Sequence, residues 1–211
     1  MPGDVSVYVR IRPPLAGEPR EAAATVLNKE TVRLEVARTA TVCEHNCDAA
    51  FGPHASQAEL FDGVARDVVD AVLAGVDGTV VAYGQTGAGK SHTLGVLEAP
   101  DHVERARDGV VPRALRRLFA ARPGEVVMSF LEIYDERVRD LLAPPRDAAE
   151  VERRRHDEAF SAKAPRPADI VEGLPVRENT RGGFEVEGLR AYAARDLAEA
   201  LDLVAYGLRR R

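Results

Sequence analysis

The stretch Thr79-Val80-Val81-Ala82-Tyr83-Gly84-Gln85-Thr86-Gly87-Ala88-Gly89-Lys90-Ser91-His92-Thr93-Leu94 decides how this chain is read. Gly84, Gly89, Lys90 and Ser91 stand at the spacing of a phosphate loop, and the apolar run from Thr79 to Tyr83 enters it as a strand would. Polyphosphate needs these residue types. Glycines let successive backbone N–H groups converge on oxygens, Lys90 brings a mobile positive charge, and the Ser91 hydroxyl is suited to magnesium. Gln85, Thr86, Gly87, Ala88, Gly89, Lys90 and Ser91 are therefore the candidate phosphate-binding residues, with Ser91 the candidate metal ligand. The plainer alternative is a glycine-rich turn that ends by chance in Gly-Lys-Ser. The loop alone does not choose between kinase, transporter, GTPase and motor.

Upstream of the loop, Ser56-Gln57-Ala58-Glu59 is a capping box. Leu60, Phe61, Val64, Ala65, Val68, Val69, Val72, Leu73 and Val76 then recur at threes and fours, so an amphipathic helix is expected to end near Gly75. Asp77-Gly78 turns the chain into the strand before the loop, giving the order helix, strand, loop, helix. Nearer the N-terminus Val5, Val7, Val9 and Ile11 alternate with Ser6, Tyr8, Arg10 and Arg12 until Pro13-Pro14 stops the run, as in a strand with one apolar face. On the residues alone, the arginines are that strand's solvated face. Val32, Leu34 and Val36 suggest a small hairpin. Cys43, Glu44, His45, Asn46 and Cys47, with His54, invite a zinc reading, but the spacing fits no standard finger and a buried pair of small thiols is the simpler account.

Downstream, a charged segment from Leu97 to Arg107 reads as a surface excursion, after which Gly109 to Phe119 resumes helical periodicity with Arg113, Arg116 and Arg117 on a solvated face. Glu125 to Tyr134 is a strongly apolar strand, with a strand-to-helix corner expected at its end. Glu132 and Asp135 have acid/base chemistry, though a strand-to-helix corner explains them equally well. Ala143 to Val171 carries Pro144, Pro145, Pro165 and Pro167 among dense charge, including Arg153-Arg154-Arg155, and is expected to be a loop. Leu174 to Leu189 forms a hairpin about Gly182-Gly183. Asp196 and Glu199 cap a last helix whose buried stripe is Leu197, Ala200, Leu201, Val204 and Leu208.

Several of these phrases together resemble one family, the kinesin motor domain. They are Ala82 to Leu94, Val5 to Pro14, Phe51 to Thr79, Gly109 to Phe119, and Leu131-Glu132-Ile133-Tyr134 with Asp140-Leu141-Leu142. Leu94 departs mildly, standing where methionine is commoner. The resemblance implies an α/β phosphate-loop nucleotide-binding fold, a central mixed sheet flanked by helices, with the C-terminal part of the domain missing. It implies ATP and Mg2+ as cofactors, Arg10 and Pro13 flanking one side of the adenine, and His92 stacking on it. Planar guanidinium and imidazole groups suit a flat base. It also implies a microtubule as partner, with the loop 143 to 171 and the hairpin 174 to 189 on the track side, and cytoplasm and cytoskeleton as location. Dimerisation and coiled coil would belong to regions outside these residues.

Composition agrees with such a role and excludes others. The chain has 211 residues, 45% of them hydrophobic, and 29 basic against 34 acidic side chains give a formal net charge of -5. That balance offers no global attraction to nucleic acid or anionic membrane. Two cysteines exclude a disulfide-built scaffold, and Met1-Pro2-Gly3-Asp4 is not the start of an export signal. No apolar run reaches membrane-spanning length.

The resemblance runs over residues 5 to 211 but covers only the first three fifths or so of such a motor domain. The switch I motif, expected after the last helix, and the switch II Asp-Leu-Ala-Gly do not occur within it. No catalytic residue is therefore assigned. The expectation is the ATP-binding portion of a microtubule motor, ending in mid-helix at Arg209-Arg210-Arg211, in which loss of later strands separates the phosphate-loop strand from its neighbours. The alternative is a nucleotide-binding or structural remnant without turnover.

Overall fold

The computed structural model describes residues 5–18, 23–36, 41–96, 103–122, 124–143, 171–180 and 182–211. The interior of the expected charged loop, with Arg153-Arg154-Arg155, lies outside the described residues. Two compact units are formed, Met1–Gly95 with Arg105–Ala114, and Val96–Glu104 with Leu115–Arg211.

In the first unit the strands are β1 (Tyr8–Arg10), β2 (Ala24–Asn28), β3 (Thr31–Val36), β4 (Thr41–Asn46) and β5 (Ala49–Phe51). The opening strand is shorter than its alternation suggests. β1 pairs in parallel with β5, Arg10 opposite Phe51, and the Ile11 amide extends the ladder to the Phe51 carbonyl at 2.8 Å. The small hairpin expected around Val32 is a three-stranded antiparallel sheet, β2-β3-β4, with Leu34 opposite Cys43. Cys43 and Cys47 are half-buried rather than buried, because β4 keeps most of its side chains exposed.

Helix α1 (Gln57–Leu60) opens on the expected capping box: Ser56 accepts from the Glu59 amide while Glu59 accepts from the Ser56 amide. It runs through a π-helical turn (Phe61–Ala65) into α2 (Arg66–Leu73). Gly63 lies in that turn with the Phe51 ring against it, where an added Cβ would sit 3.0 Å from Phe51 Cζ. Leu60, Phe61, Ala65 and Val69 are buried, as their spacing requires.

The expected strand over Thr79 to Tyr83 is not formed. Among the described residues no ladder engages it, and Val81 is 79% and Tyr83 98% exposed. A run of apolar and β-branched residues supplies propensity for a strand, but backbone N–H and C=O groups become a strand only when a neighbour pairs with them. Helix α3 (Lys90–Leu94) follows the loop and is closed by Gly95 in the left-handed conformation.

Helix α4 (Val110–Ala121) takes the residues expected of it. Arg113, Arg116 and Arg117 are half-buried, not a free solvated face, and Arg113 Nε donates to the Asp108 carbonyl at 2.7 Å. The second unit continues with β6 (Val126–Met128), β7 (Leu131–Tyr134), β8 (Arg137–Asp140) and β9 (Val171–Glu172). Residues 135 to 142 are thus not a helix. Asp135 and Glu136 take φ of 50° and 60°, the pair of left-handed residues that closes a two-residue hairpin, and Tyr134 lies opposite Arg137. The hairpin over 174 to 189 is present as β10 (Val176–Glu178) and β11 (Phe184–Val186).

β12 (Tyr192–Ala194) pairs with β6, and α5 (Leu197–Leu208) is capped by the Asp196 side chain on the Glu199 amide. Ala200, Leu201 and Val204 are buried with Leu141, Leu142 and Ala143. α5 ends at Leu208 with Arg209 as its cap, so Arg209 to Arg211 are not mid-helix. Parallel and antiparallel pairs coexist, as in a mixed sheet, but they stand as separate two- and three-stranded ladders. Among the described residues no helix is long and apolar enough to cross a membrane.

Candidate functional site

Glycine geometry shapes the loop. Gly84, Gly87 and Gly89 have φ of 153°, 82° and 96°, which L side chains rarely adopt, and Gly89 delivers the chain into α3. An added Cβ on Gly84 would sit 3.1 Å from Ala88 Cβ. The Ala88 amide donates to the Gln85 carbonyl at 3.1 Å, closing the bend. Lys90 folds back over it, its ammonium donating to the carbonyls of Gly84 at 2.8 Å and Gln85 at 2.9 Å. The positive charge is thereby carried inside the curve of the loop. Ser91 and His92 occupy the first turn of α3.

Residues from β1 and its continuation hold this loop from one side. Arg12 Nε donates to the Gly87 carbonyl at 2.8 Å, and its two terminal nitrogens donate to Glu18. Pro13 is exposed beside them. Arg10 Nη1 donates to Gln57 Oε1 at 2.8 Å and to Thr93 Oγ1 at 2.9 Å, while Nη2 reaches the Ala55 carbonyl at 3.4 Å. Burial lowers the Arg10 pKa from its ordinary value. His92 keeps an exposed ring, and its pKa is lowered first by partial burial and then by the Arg10 charge, which favours the neutral imidazole.

The structure thus brings Arg10 and His92 together through Gln57, and Gly84, Gln85, Gly87 and Lys90 together through the loop's own carbonyls. Sequence reading missed Gln57, Arg12, Glu18 and Thr93 as parts of the site. Gln57 was hidden inside the capping box, where polarity already had an explanation. A cavity of about 420 Å³ lies alongside, lined by Phe51, Pro53, His54 and Glu59 among others, and includes none of Gln85 to Ser91. Among the described residues no group of three His, Cys, Asp or Glu side chains is placed to hold a metal ion. Ser91, one hydroxyl beside a lysine and glycine amides, belongs to a different donor set, that of a phosphate-bound metal.

Comparison with known proteins agrees with this geometry. The family model for the kinesin motor domain matches residues 10–211. The chain is 33% identical over 224 aligned positions to kinesin-like protein KIN-5C of Arabidopsis thaliana, covering 99% of this chain and 21% of that protein. It is 40% identical over 167 positions to a kinesin heavy chain of Gibberella moniliformis, covering 76% of this chain and 15% of the other. A solved structure of a fast kinesin superposes with a TM-score of 0.71 at 27% identity, over 96% of this chain and 52% of that one. That fold is a phosphate-loop α/β fold with a mixed sheet flanked by helices, of which the present ladders and helices are the N-terminal parts. The chain spans about a fifth of the length of the first relatives and about half of the solved motor. With a phosphate loop of this shape and a family match over nearly its whole length, the chain belongs to the kinesin motor domain family.

Proposed function

We propose that residues 1 to 211 are the ATP-binding portion of a microtubule motor that, in full length, couples ATP hydrolysis to movement. The observation that carries this reading is the loop itself, with three glycines in conformations that expose backbone amides and one lysine inside the bend. The residues fit a magnesium-bound triphosphate. Gln85, Thr86, Gly87 and Gly89 offer backbone amides, Lys90 exchanges two carbonyl partners for phosphate oxygens, and Ser91 offers a hydroxyl to the metal. Bound Mg2+ would supply charge neutralisation at those oxygens. By the family resemblance Arg10 and Pro13 would flank one side of the base and His92 would stack on it, and hydrogen bonds to Gln57 and Thr93 hold the Arg10 guanidinium in place.

These base contacts are stacking rather than edge readout, so preference for ATP over GTP is expected to be modest. Titration of ATP into the parent and Lys90→Ala chains tests the proposal. Loss of a charge-assisted contact is expected to weaken binding roughly ten- to a hundredfold. Equal affinities would overturn it.

A further inference from the structure

We propose that Gln57 is a positioning residue that fixes the tautomer and plane of the His92 ring, and through that ring sets how strongly the site favours a base-bearing over a base-free triphosphate. The second half rests on the nucleotide-binding reading above. Gln57 is only 4% exposed and joins three segments of the first unit: β1, α3 and the turn before α4.

Its partners determine which way the amide points. Oε1 lies 2.8 Å from Arg10 Nη1, and a guanidinium can only donate. Nε2 lies 2.6 Å from the His92 carbonyl and 3.3 Å from the Arg107 carbonyl, and carbonyls can only accept. A flipped amide would set oxygen against two oxygens and N–H against N–H, so only one orientation is satisfied. His92 Nδ1 is 3.4 Å from the same Nε2. The Gln57 amide nitrogen has two hydrogens for three acceptors, so the one aimed at the His92 carbonyl is shared with Nδ1, which takes the accepting role while the ring proton resides on the imidazole Nε2.

Protonating the ring would turn Nδ1–H toward the amide N–H and add a second cation beside Arg10. Arg10 from β1 is close enough for its charge to act on the His92 ring, and the Gln57 amide from α1 faces Nδ1 while also donating to the Arg107 carbonyl before α4. The Gln57 amide meets the ring at Nδ1 and anchors the His92 backbone through its carbonyl, while the residue stays exposed. A neutral, oriented ring is a stacking surface prepared before a flat base arrives.

The test compares the full chain with Gln57→Glu and Gln57→Met. Glutamate keeps the shape and the Arg10 partner but reverses hydrogen-bond polarity toward His92. Methionine removes both roles at similar volume. Long-range 1H–15N spectra of 15N-histidine protein, with His92→Asn identifying the resonance, read the tautomer without any nucleotide. The parent is expected to show neutral Nε2–H. Gln57→Glu is expected to move the proton to Nδ1.

Calorimetry then compares ATP with inorganic tripolyphosphate. The ratio of their affinities is expected to fall about tenfold in Gln57→Glu and Gln57→Met. An unchanged His92 tautomer in Gln57→Glu would overturn the proposal. So would equal weakening of both ligands, since Gln57 would then act on the loop as a whole. Failure of the parent to bind either ligand would overturn the nucleotide reading and the selectivity claim with it, and the ring spectra would still decide whether Gln57 holds His92.

Discussion

Arg12 grips both carboxylate oxygens of Glu18, at 2.7 and 2.6 Å, while its Nε stays bonded to the carbonyl of Gly87 at the bend of the phosphate loop. One side chain thereby ties the end of the first strand to the loop, and a carboxylate six residues on keeps it in place. The pair is partly exposed, so its electrostatic worth is modest and sensitive to salt, while its geometric worth lies in fixing one guanidinium conformation.

Glu18 gives this clamp a pH signature. Its hydrogen bonds to Arg12 and then to the Leu15 amide hold the carboxyl down from 4.5 to about 2. The folded pKa is depressed, so the stabilisation is present above the unfolded value of 4.5 and is lost as pH falls toward 2. Urea midpoints of the parent and Glu18→Gln should differ at about pH 6 and converge as the medium is acidified. A gap that stays constant down to about pH 3 would mean that the carboxylate charge is not its source.

Ser56→Ala removes the hydroxyl that accepts the Glu59 amide and leaves a donor unsatisfied at the start of α1. The expected loss is about 1 kcal/mol, seen as a lower urea midpoint. Glu59→Gln retains a side-chain acceptor for the Ser56 amide and should cost less. Equal losses would show that charge at the helix start matters more than the reciprocal box.

Gly95 and Gly109 let two backbones touch where α3 ends and α4 is about to begin. A Cβ on Gly95 would lie 2.5 Å from the Gly109 amide, and one on Gly109 would run into the Gly95 amide and the Thr93 carbonyl. Gly109→Ala should therefore destabilise by about 1–3 kcal/mol, through overpacking against backbone that cannot rotate aside. Gly124→Ala, with nothing within 4 Å of the added Cβ, serves as the control. Comparable urea midpoints for the two variants would show that the close approach is not retained in solution.

What the sequence disclosed follows from the range of the interactions involved. The capping box at Ser56, the hairpin about Gly182-Gly183 and the Asp196 cap are set by residues three or four apart, and each was readable. Asp135-Glu136 misled because the phrase matched a strand followed by a helix, whereas two non-glycine residues with positive φ close a hairpin there. Thr79 to Tyr83 misled for another reason: its apolar run is real, but strand formation depends on partners that no local pattern specifies. Arg10 was placed by resemblance, yet what holds it, Gln57 at a separation of 47 residues and Thr93 at 83, is knowable only once the chain is folded.

The 211-residue chain by itself should neither move on microtubules nor turn over ATP efficiently. The loop provides binding and some charge stabilisation through Lys90, but its lysine and glycines carry no group that orients an attacking water. Such groups belong to the switch motifs that residues 1 to 211 do not contain. Movement further needs a nucleotide-sensitive element coupled to a track-binding surface, and coupling requires two states that nucleotide and track both bias. Phosphate release by the purified, folded chain, with and without microtubules, should therefore stay near the rate of the Lys90→Ala variant, while a complete motor domain of a related kinesin heavy chain is stimulated. Track-stimulated turnover by residues 1 to 211 at a rate comparable to the complete domain would overturn this, and would place water-orienting chemistry on side chains described above as surface.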